Sequence, residues 1–229
     1  GKIEQEARRP LVSDDKRGEG SMRVIDNDRD WAMRSIAGIL KTKYPFKLTV
    51  YENKLNSRNT SKIWNKLISQ STCGYVCLID SDAVPQNDFL TPMVDVMERH
   101  LDAAVVGPVA GDKGVTTIQE MKPGERPEME TDGHISGYCM LFRKSVFEAT
   151  GPFDEDYVFY GQDSDWVERI QEGKKLKVLV CPRAHVTHGE HNDSSVSSKR
   201  LEESGDFNRR VDAEYAQSLW HLKKERRKS

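Results

Sequence analysis

The sequence predicts an α/β fold, a Rossmann-type mixed, mostly parallel sheet flanked by helices. Two observations carry this expectation. Strand-like and helix-like segments alternate three times within the first 110 residues, and such alternation favours parallel strands whose helical crossovers cover both faces of the sheet. Three of the strand-like segments end abruptly in polar residues: Asp26-Asn27, Glu52-Asn53 and Asp80-Ser81-Asp82. Right-handed crossovers bring parallel strands' C-terminal ends to one rim, and ligands of open α/β sheets collect there.

The elements follow in chain order. Residues 1–20, GKIEQEARRPLVSDDKRGEG, are charged and end in Gly-rich sequence, so they read as an arm or irregular leader. SMRVI (21–25) is a short strand, and DNDRD after it is a polar turn with helix-capping chemistry. WAMRSIAGILKTK sets Trp31, Ile36, Ile39 and Leu40 at helical spacing. YPFKLTVYEN alternates apolar and polar residues behind the helix-breaking Pro45 and reads as a strand. TSKIWNKLISQ is a helix capped by Thr60 or Ser61, GYVCLID a buried strand, DFLTPMVDVMERH a helix with an early proline, and LDAAVVGPV a strand. GDKGVTTIQEMKPGERPEMETDG is a long Gly/Pro/Glu-rich loop. YCMLF is then a strand, SVFEAT a short helix, DSDWVERIQEG a helix opening at Asp163 to Asp165, and KVLVCP a strand followed by HVTHGEH. A Ser-rich loop, NDSSVSSKR, and a helix through VDAEYAQSLWHLKK come last. The domain is therefore expected over residues 21–205, with 206–229 a C-terminal helix and a basic tail, HLKKERRKS, that is expected to be solvated.

Composition narrows the class. A chain of 229 residues suits one domain with an extension, and 36% hydrophobic content suffices for its core. The net charge of −2 gives no signal for a nucleic-acid or membrane surface as partner. No apolar run approaches the roughly 18 residues that span a bilayer, and no signal-peptide pattern is present, so the expected location is cytoplasmic. Cys73, Cys77, Cys139 and Cys181 lack paired spacing, and three of them lie in apolar strand-like runs. They are expected as reduced, structural thiols.

The chemistry concentrates in YVCLIDSDAV. Asp80 and Asp82 are like charges two residues apart where a buried strand meets water. A divalent cation would neutralise them and lower both pKa values. All-oxygen ligands of this kind suit Mg²⁺ or Mn²⁺, and such ions commonly hold substrate phosphates as well. A D-x-D turn also occurs as a solvated Asx-turn; its place after a buried strand favours the metal. His188 follows another strand, and a histidine beside the two carboxylates would complete a mixed nitrogen–oxygen set that favours Mn²⁺ over Mg²⁺. Asp163 and Asp165 open a helix, where acids cap free N–H groups and complement the dipole. An acid so placed can also serve as a general base.

In this order the segments resemble the family 2 glycosyltransferases, nucleotide-sugar enzymes of the GT-A fold. The resemblance runs from about Ser21 to about His191 through YPFKLTVYEN, KIWNKLISQSTCGYVCLIDSDA and ISGYCMLFRKSVFEATGPFDEDYVFYGQDSDWVERIQEGKKLKVLVCPRAHVTH. It implies a GT-A-like domain and an inverting, metal-assisted sugar transfer from a nucleotide-diphosphate donor, UDP-sugar by preference, to an acceptor hydroxyl. The acceptor stays open among glycan, lipid carrier, protein and modified nucleic acid. Carried over residue by residue, Asp163 is the general base, and Asp82 with His188 holds Mn²⁺ or Mg²⁺. Glu52 faces the nucleotide base, Asn65 and Asp80 hold nucleoside and ribose, and Asn27 and Ser81 belong to the nucleotide-sugar site. Gly137 lets the backbone approach the donor. Acceptor selection is expected in the 111–133 and 189–205 loops.

The chain departs from the family pattern in four places, one of them LNSRNTS, which lacks the usual Gly of the N-x-G turn before Asn65. Glu52 stands for the usual Asp, Gln162 for the usual Glu before the base, and Ile25-Asp26-Asn27 for the usual Pro-x-Tyr-Asn ending of the first strand. Three other readings compete. A haloacid-dehalogenase-like phosphatase would use Asp80 as nucleophile. A sugar-phosphate nucleotidyltransferase would need a Gly-rich loop for which KRGEG (16–20) is a poor match. A non-catalytic binding domain on the same scaffold would be compatible with Gln162.

Overall fold

Alternating apolar strands and amphipathic helices resolve into one mixed sheet with helices on both faces. The computed structural model of the chain describes residues 20–26, 29–52, 59–110, 123–124, 128–130, 135–172, 176–188 and 209–228. Its elements are β1 (Gly20–Asp26), α1 (Arg29–Ile39), β2 (Phe46–Glu52), α2 (Thr60–Ser69), β3 (Tyr75–Asp80), β4 (Ala83–Gln86), α3 (Leu90–Arg99), β5 (Ala103–Val109), β6 (Met129–Glu130), β7 (Cys139–Arg143), α4 (Lys144–Thr150), α5 (Gln162–Gln171), β8 (Lys177–His188) and α6 (Arg209–Lys228). The strand order is β2-β1-β3-β7-β5-β8-β4, with β6 paired to β8. β1 lies parallel between β2 and β3, which sets Asp26 opposite Glu52 and Ile25 opposite Asp80. The three polar strand ends therefore do share a rim. β7 runs antiparallel between β3 and β5, and β8 parallel to β5, so most of the strands still point one way.

Each face of the sheet carries its own core. Residues of α1 and α3 pack with Cys77, Ile79, Leu141 and Cys181 on one face. On the other, α2, α4 and α5 pack with Val76, Leu78, Met140 and Phe142. Successive residues of β3 alternate between the two cores, as the period of a strand requires. An aromatic layer anchors the second face: Phe153 lies 5.0 Å from Trp64 and 4.7 Å from Trp166, and Trp166 lies 5.0 Å from Phe142. Burying each such ring contributes about 1.5–3 kcal/mol, before the edge-on geometry adds to it. All four cysteines are free and buried, in keeping with structural thiols.

Several local expectations are corrected. β4 arises where the sequence reading assigns no element; its Pro85 is accommodated because β4 is the last strand of the sheet order. β8 does not stop at Pro182 but continues to His188. Its pairing with β5 slips between Pro108 and Val109, which gives Pro182 an irregularity in which its missing N–H costs no ladder bond. The cap of α2 is Asn59, whose side chain accepts from the Lys62 N–H at 2.8 Å, rather than Thr60 or Ser61. Leu40 lies just past the end of α1 and is 60% exposed, so it is not part of the core.

The largest correction concerns the basic tail. It is helical to Lys228 and is docked rather than solvated: Lys223, Lys224 and Arg227 all pair with acids of α5 or of the segment before it. Of the expected arm only Gly20 is described, as the first residue of β1. The 189–205 loop lies outside the described residues, as does the 111–133 loop except for Pro123, Gly124 and Glu128 to Glu130.

Candidate active site at the strand rim

The rim is built by β3, β4 and β8. β3 is apolar through Ile79 and ends in Asp80; a tight turn through the buried Ser81 and Asp82 then sends the chain back as β4. β4 pairs antiparallel with β8 so that Ala83 lies opposite His188. That register, set by a strand the sequence does not announce, carries His188 to the D-x-D turn. Nε2 of His188 is 3.7 Å from Oδ1 of Asp82, and one ligand atom from each of Asp80, Asp82 and His188 lies within 4.8 Å of the others.

The electrostatics of this group fit a cation. Burial, and then the carboxylates of Asp82 and Asp163, push the Asp80 carboxyl well above the usual carboxylate range. Burial pulls the His188 imidazole down, against the opposing pull of Asp82. A neutral imidazole with a free electron pair beside two crowded carboxylates is a donor set for a divalent ion of the Mn²⁺ or Mg²⁺ kind.

Asp163 reaches the same rim from the other side of the sheet. Gly161, at φ 85°, turns the chain in the left-handed region and α5 starts immediately after it. Oδ2 of Asp163 accepts from the Gly137 N–H at 2.7 Å, and Oδ1 accepts from the Ser164 N–H at 2.8 Å. The carbonyl of the next residue, Tyr138, accepts from the Asp80 N–H at 2.8 Å. The Tyr138 ring stacks on His188 at 4.4 Å with 16° between planes. Gly137-Tyr138 thus joins Asp163, Asp80 and His188 through three separate contacts. Tyr138 is the site residue that sequence reasoning missed; an aromatic residue directly before an apolar strand in SGYCMLF is its only signal.

Packing within the chain places its own demand on this glycine. A Cβ on Gly137 would lie 2.4 Å from the rim of the Trp64 indole. Trp64 is wedged against Phe153 and cannot yield. Gly137→Ala is expected to lower stability by about 1–3 kcal/mol, as overpacking of a fixed core does, read from the urea midpoint. An unchanged midpoint would mean that the backbone can retreat from Trp64 without loss.

The other expected residues divide. Glu52 closes β2 at the rim, and Asn27 lies outside the described residues. Asn65 is held by the chain: Nδ2 donates to the Phe153 carbonyl at 2.8 Å and to Oε1 of Glu155 at 3.1 Å, while Oδ1 accepts from the Phe153 N–H at 2.9 Å. Its visible work is to pin the 153–155 segment to α2. Gln162 is buried, and its Oε1 meets no hydrogen-bond donor among the described residues. Asp165 points away from the function of Asp163: it is buried and paired with Arg169 of its own helix and Arg227 of α6, each at 2.8 Å.

The chain has relatives among known proteins. The family model described as glycosyl transferase family 2 matches residues 24–151, more than half of the 229-residue chain. Over 88 residues the chain is 39% identical to an N-acetylglucosaminyl-diphospho-decaprenol L-rhamnosyltransferase of Mycobacterium tuberculosis, a match covering 37% of this chain and 27% of that protein. Over 102 residues it is 29% identical to the succinoglycan biosynthesis protein ExoM of Rhizobium meliloti, covering 44% and 32%. The matched segments thus span about a third or less of these relatives. Among solved structures, GalNAc-T7 with UDP, GalNAc and Mn²⁺ superposes with a TM-score of 0.61 at 11% identity, over 76% of this chain and 44% of that one. TarS 1-349 of S. aureus in complex with UDP-GlcNAc gives 0.59 at 14% identity, over 80% and 64%. Both are similar in fold. Neither the phosphatase nor the other alternative readings find support in these matches.

Proposed function

Because the chain belongs to glycosyl transferase family 2, we propose that it transfers a sugar from a nucleoside-diphosphate donor, UDP-linked by preference, to an acceptor hydroxyl with inversion at the anomeric carbon. The observation that carries the proposal is the convergence on one rim of Asp80, Asp82 and His188 with a separate, hydrogen-bonded Asp163. Asp82 and His188 would hold a Mn²⁺ or Mg²⁺ ion, with Asp80 beside them. Such an ion supplies charge that stabilises the departing diphosphate.

The chain's own residues do the rest. Asp163 accepts the proton of the attacking hydroxyl at whichever oxygen faces it, while the Gly137 and Ser164 amides fix the carboxylate plane. Tyr138 holds the His188 ring by stacking. Glu52, at the adjacent strand end, would meet the nucleoside together with Asn27, and Asn65 contributes by fixing the segment that leads to Asp163. The crystallised UDP complexes of proteins of this fold support a uridine donor. The acceptor is left as a hydroxyl of a glycan, lipid carrier, protein or modified nucleic acid. No helix of the described residues is long and apolar enough to cross a membrane.

The test is a thermal-shift and nucleotide-release panel of UDP-, GDP-, dTDP- and CDP-sugars with Mn²⁺. A ligand at about 100 times its Kd stabilises by about 2.7 kcal/mol, so one nucleotide should stand clear of the rest and also be released. Binding without release from any donor or acceptor would leave a binding domain in place of an enzyme. Asp82→Asn should lose the Mn²⁺-dependent part of nucleotide binding with the fold intact, and His188→Ala should raise the Mn²⁺ concentration required. Parental metal titrations in both variants would remove the metal from this site.

A further inference from the structure

We propose that α6 is a clasp that sets the position of Asp163, and that Arg227 is its principal positioning residue. The inference rests on the reading of Asp163 as the base.

α5 carries Asp163 in its first turn, and the acids along its next two turns are bound by α6. Arg227 reaches three of them: Nη1 pairs with Asp165 at 2.8 Å, Nη2 with Glu168 at 3.0 Å and Nε with Glu172 at 3.1 Å. Lys224 adds a second contact to Glu168 at 2.5 Å. Asp165, Glu168 and Glu172 recur at intervals of three and four residues, so they form one stripe of like charge on the helix. Among the described residues outside α6, Arg169 is the cation that this stripe meets, through its pair with Asp165.

A second anchor lies on the segment that feeds α5. Lys223 pairs with Asp154 and, at 2.7 Å, with Asp156. This segment is fastened to α2 by Asn65 at Phe153, by Asn59 at the Glu155 carbonyl, by Ser61 at the Tyr157 carbonyl and by the Thr60 N–H at the Val158 carbonyl. From Val158 it runs straight into Gly161 and Asp163. α6 also lies close to Gly161: a Cβ added there would sit 3.4 Å from Cβ of Ala216, which is buried. α6 therefore bears on the segment before the turn and on the helix after it, and lies close to the turn itself. Among the described residues, and apart from its neighbour Ser164, Asp163 is tied to the rim by its bond to the Gly137 amide. A small rotation of α5 would break that bond and misplace the carboxylate, and a displacement of about 1 Å can cost a hundredfold in rate. Arg227 touches no reacting group on this account; it acts through α5.

The experiment uses the full chain with Arg227→Met, which keeps length and loses charge, Arg227→Lys, which restores charge, and Lys223→Met at the second anchor. In Arg227→Met the Gly137 amide should exchange with solvent about tenfold or more faster, while the amides of Val76 and Leu78 in β3 keep parental protection. The kcat for transfer should fall about tenfold or more with the donor KM within about twofold, and Arg227→Lys should recover part of it. Lys223→Met should show the same pattern more weakly, and it decides the matter if Arg227→Met does not fold. Parental protection at Gly137 in the variants would overturn the proposal. So would equal loss of protection at Gly137 and in β3, which marks general destabilisation. If the parent releases no nucleotide from any sugar donor, the reading of the base fails, whereas amide exchange still reports on the clasp.

Discussion

Asp163→Asn is expected to leave nucleotide binding nearly unchanged and to cut transfer at least about a hundredfold, the usual reach of general-base catalysis. The substitution keeps size and shape and removes basicity. The Asn Oδ1 can keep the Gly137 amide that Asp163 holds at 2.7 Å; its NH₂ then faces the Ser164 amide, where the carboxylate accepted at 2.8 Å. Losing that one bond costs about 1 kcal/mol, too little to unfold the chain and too little to explain a hundredfold loss. The discriminating measurements are transfer rate, nucleotide affinity with Mn²⁺ and melting temperature in the same preparation. Near-parental transfer in Asp163→Asn would take the base away from this residue. Product NMR is the companion test: retention of the donor's anomeric configuration would exclude a single displacement.

The strand rim was legible because its signal is local and one-dimensional. An apolar run ending in two carboxylates announces both a buried strand and a charged terminus, and β3 with Asp80 and Asp82 follows from it. What could not be read was anything fixed by pairing between distant segments. β4 is short and contains Pro85, and its register against His188 is what turns the D-x-D and a histidine roughly a hundred residues away into one group. Gly137 was picked out, but the further constraint that Trp64 sets across the core was not. The docking of α6 was missed for a similar reason. A run such as KKERRK looks solvated until the complementary stripe of Asp165, Glu168 and Glu172 is seen to face it. Charge patterning along one segment gives no distance to its partner.

Asp165 provides the sharpest contrast with Asp163, because the two acids sit two residues apart on one helix and serve different ends. Asp165→Ala is expected to lower stability by about 3 kcal/mol, at the lower end of what breaking a buried ion pair costs. The lower end applies because neither cation is stranded. Arg169 keeps the Thr150 carbonyl at 3.1 Å and the Pro152 carbonyl at 2.7 Å, and Arg227 keeps Glu168 and Glu172. Both guanidinium groups are also partly in solvent, at 19% and 23% exposure, whereas the Asp165 side chain is 1% exposed. Asp165→Asn should cost less, about 1–2 kcal/mol, since one oxygen still accepts. For a chain of this size, about 3 kcal/mol corresponds to a fall of roughly 6–12 °C in Tm. Below that Tm the folded fraction of either variant should still bind nucleotide. If Asp165→Asn instead abolishes transfer at parental Tm while Asp163→Asn remains active, the two acids exchange roles: Asp165 becomes the base and Asp163 the structural acid that fixes Gly137.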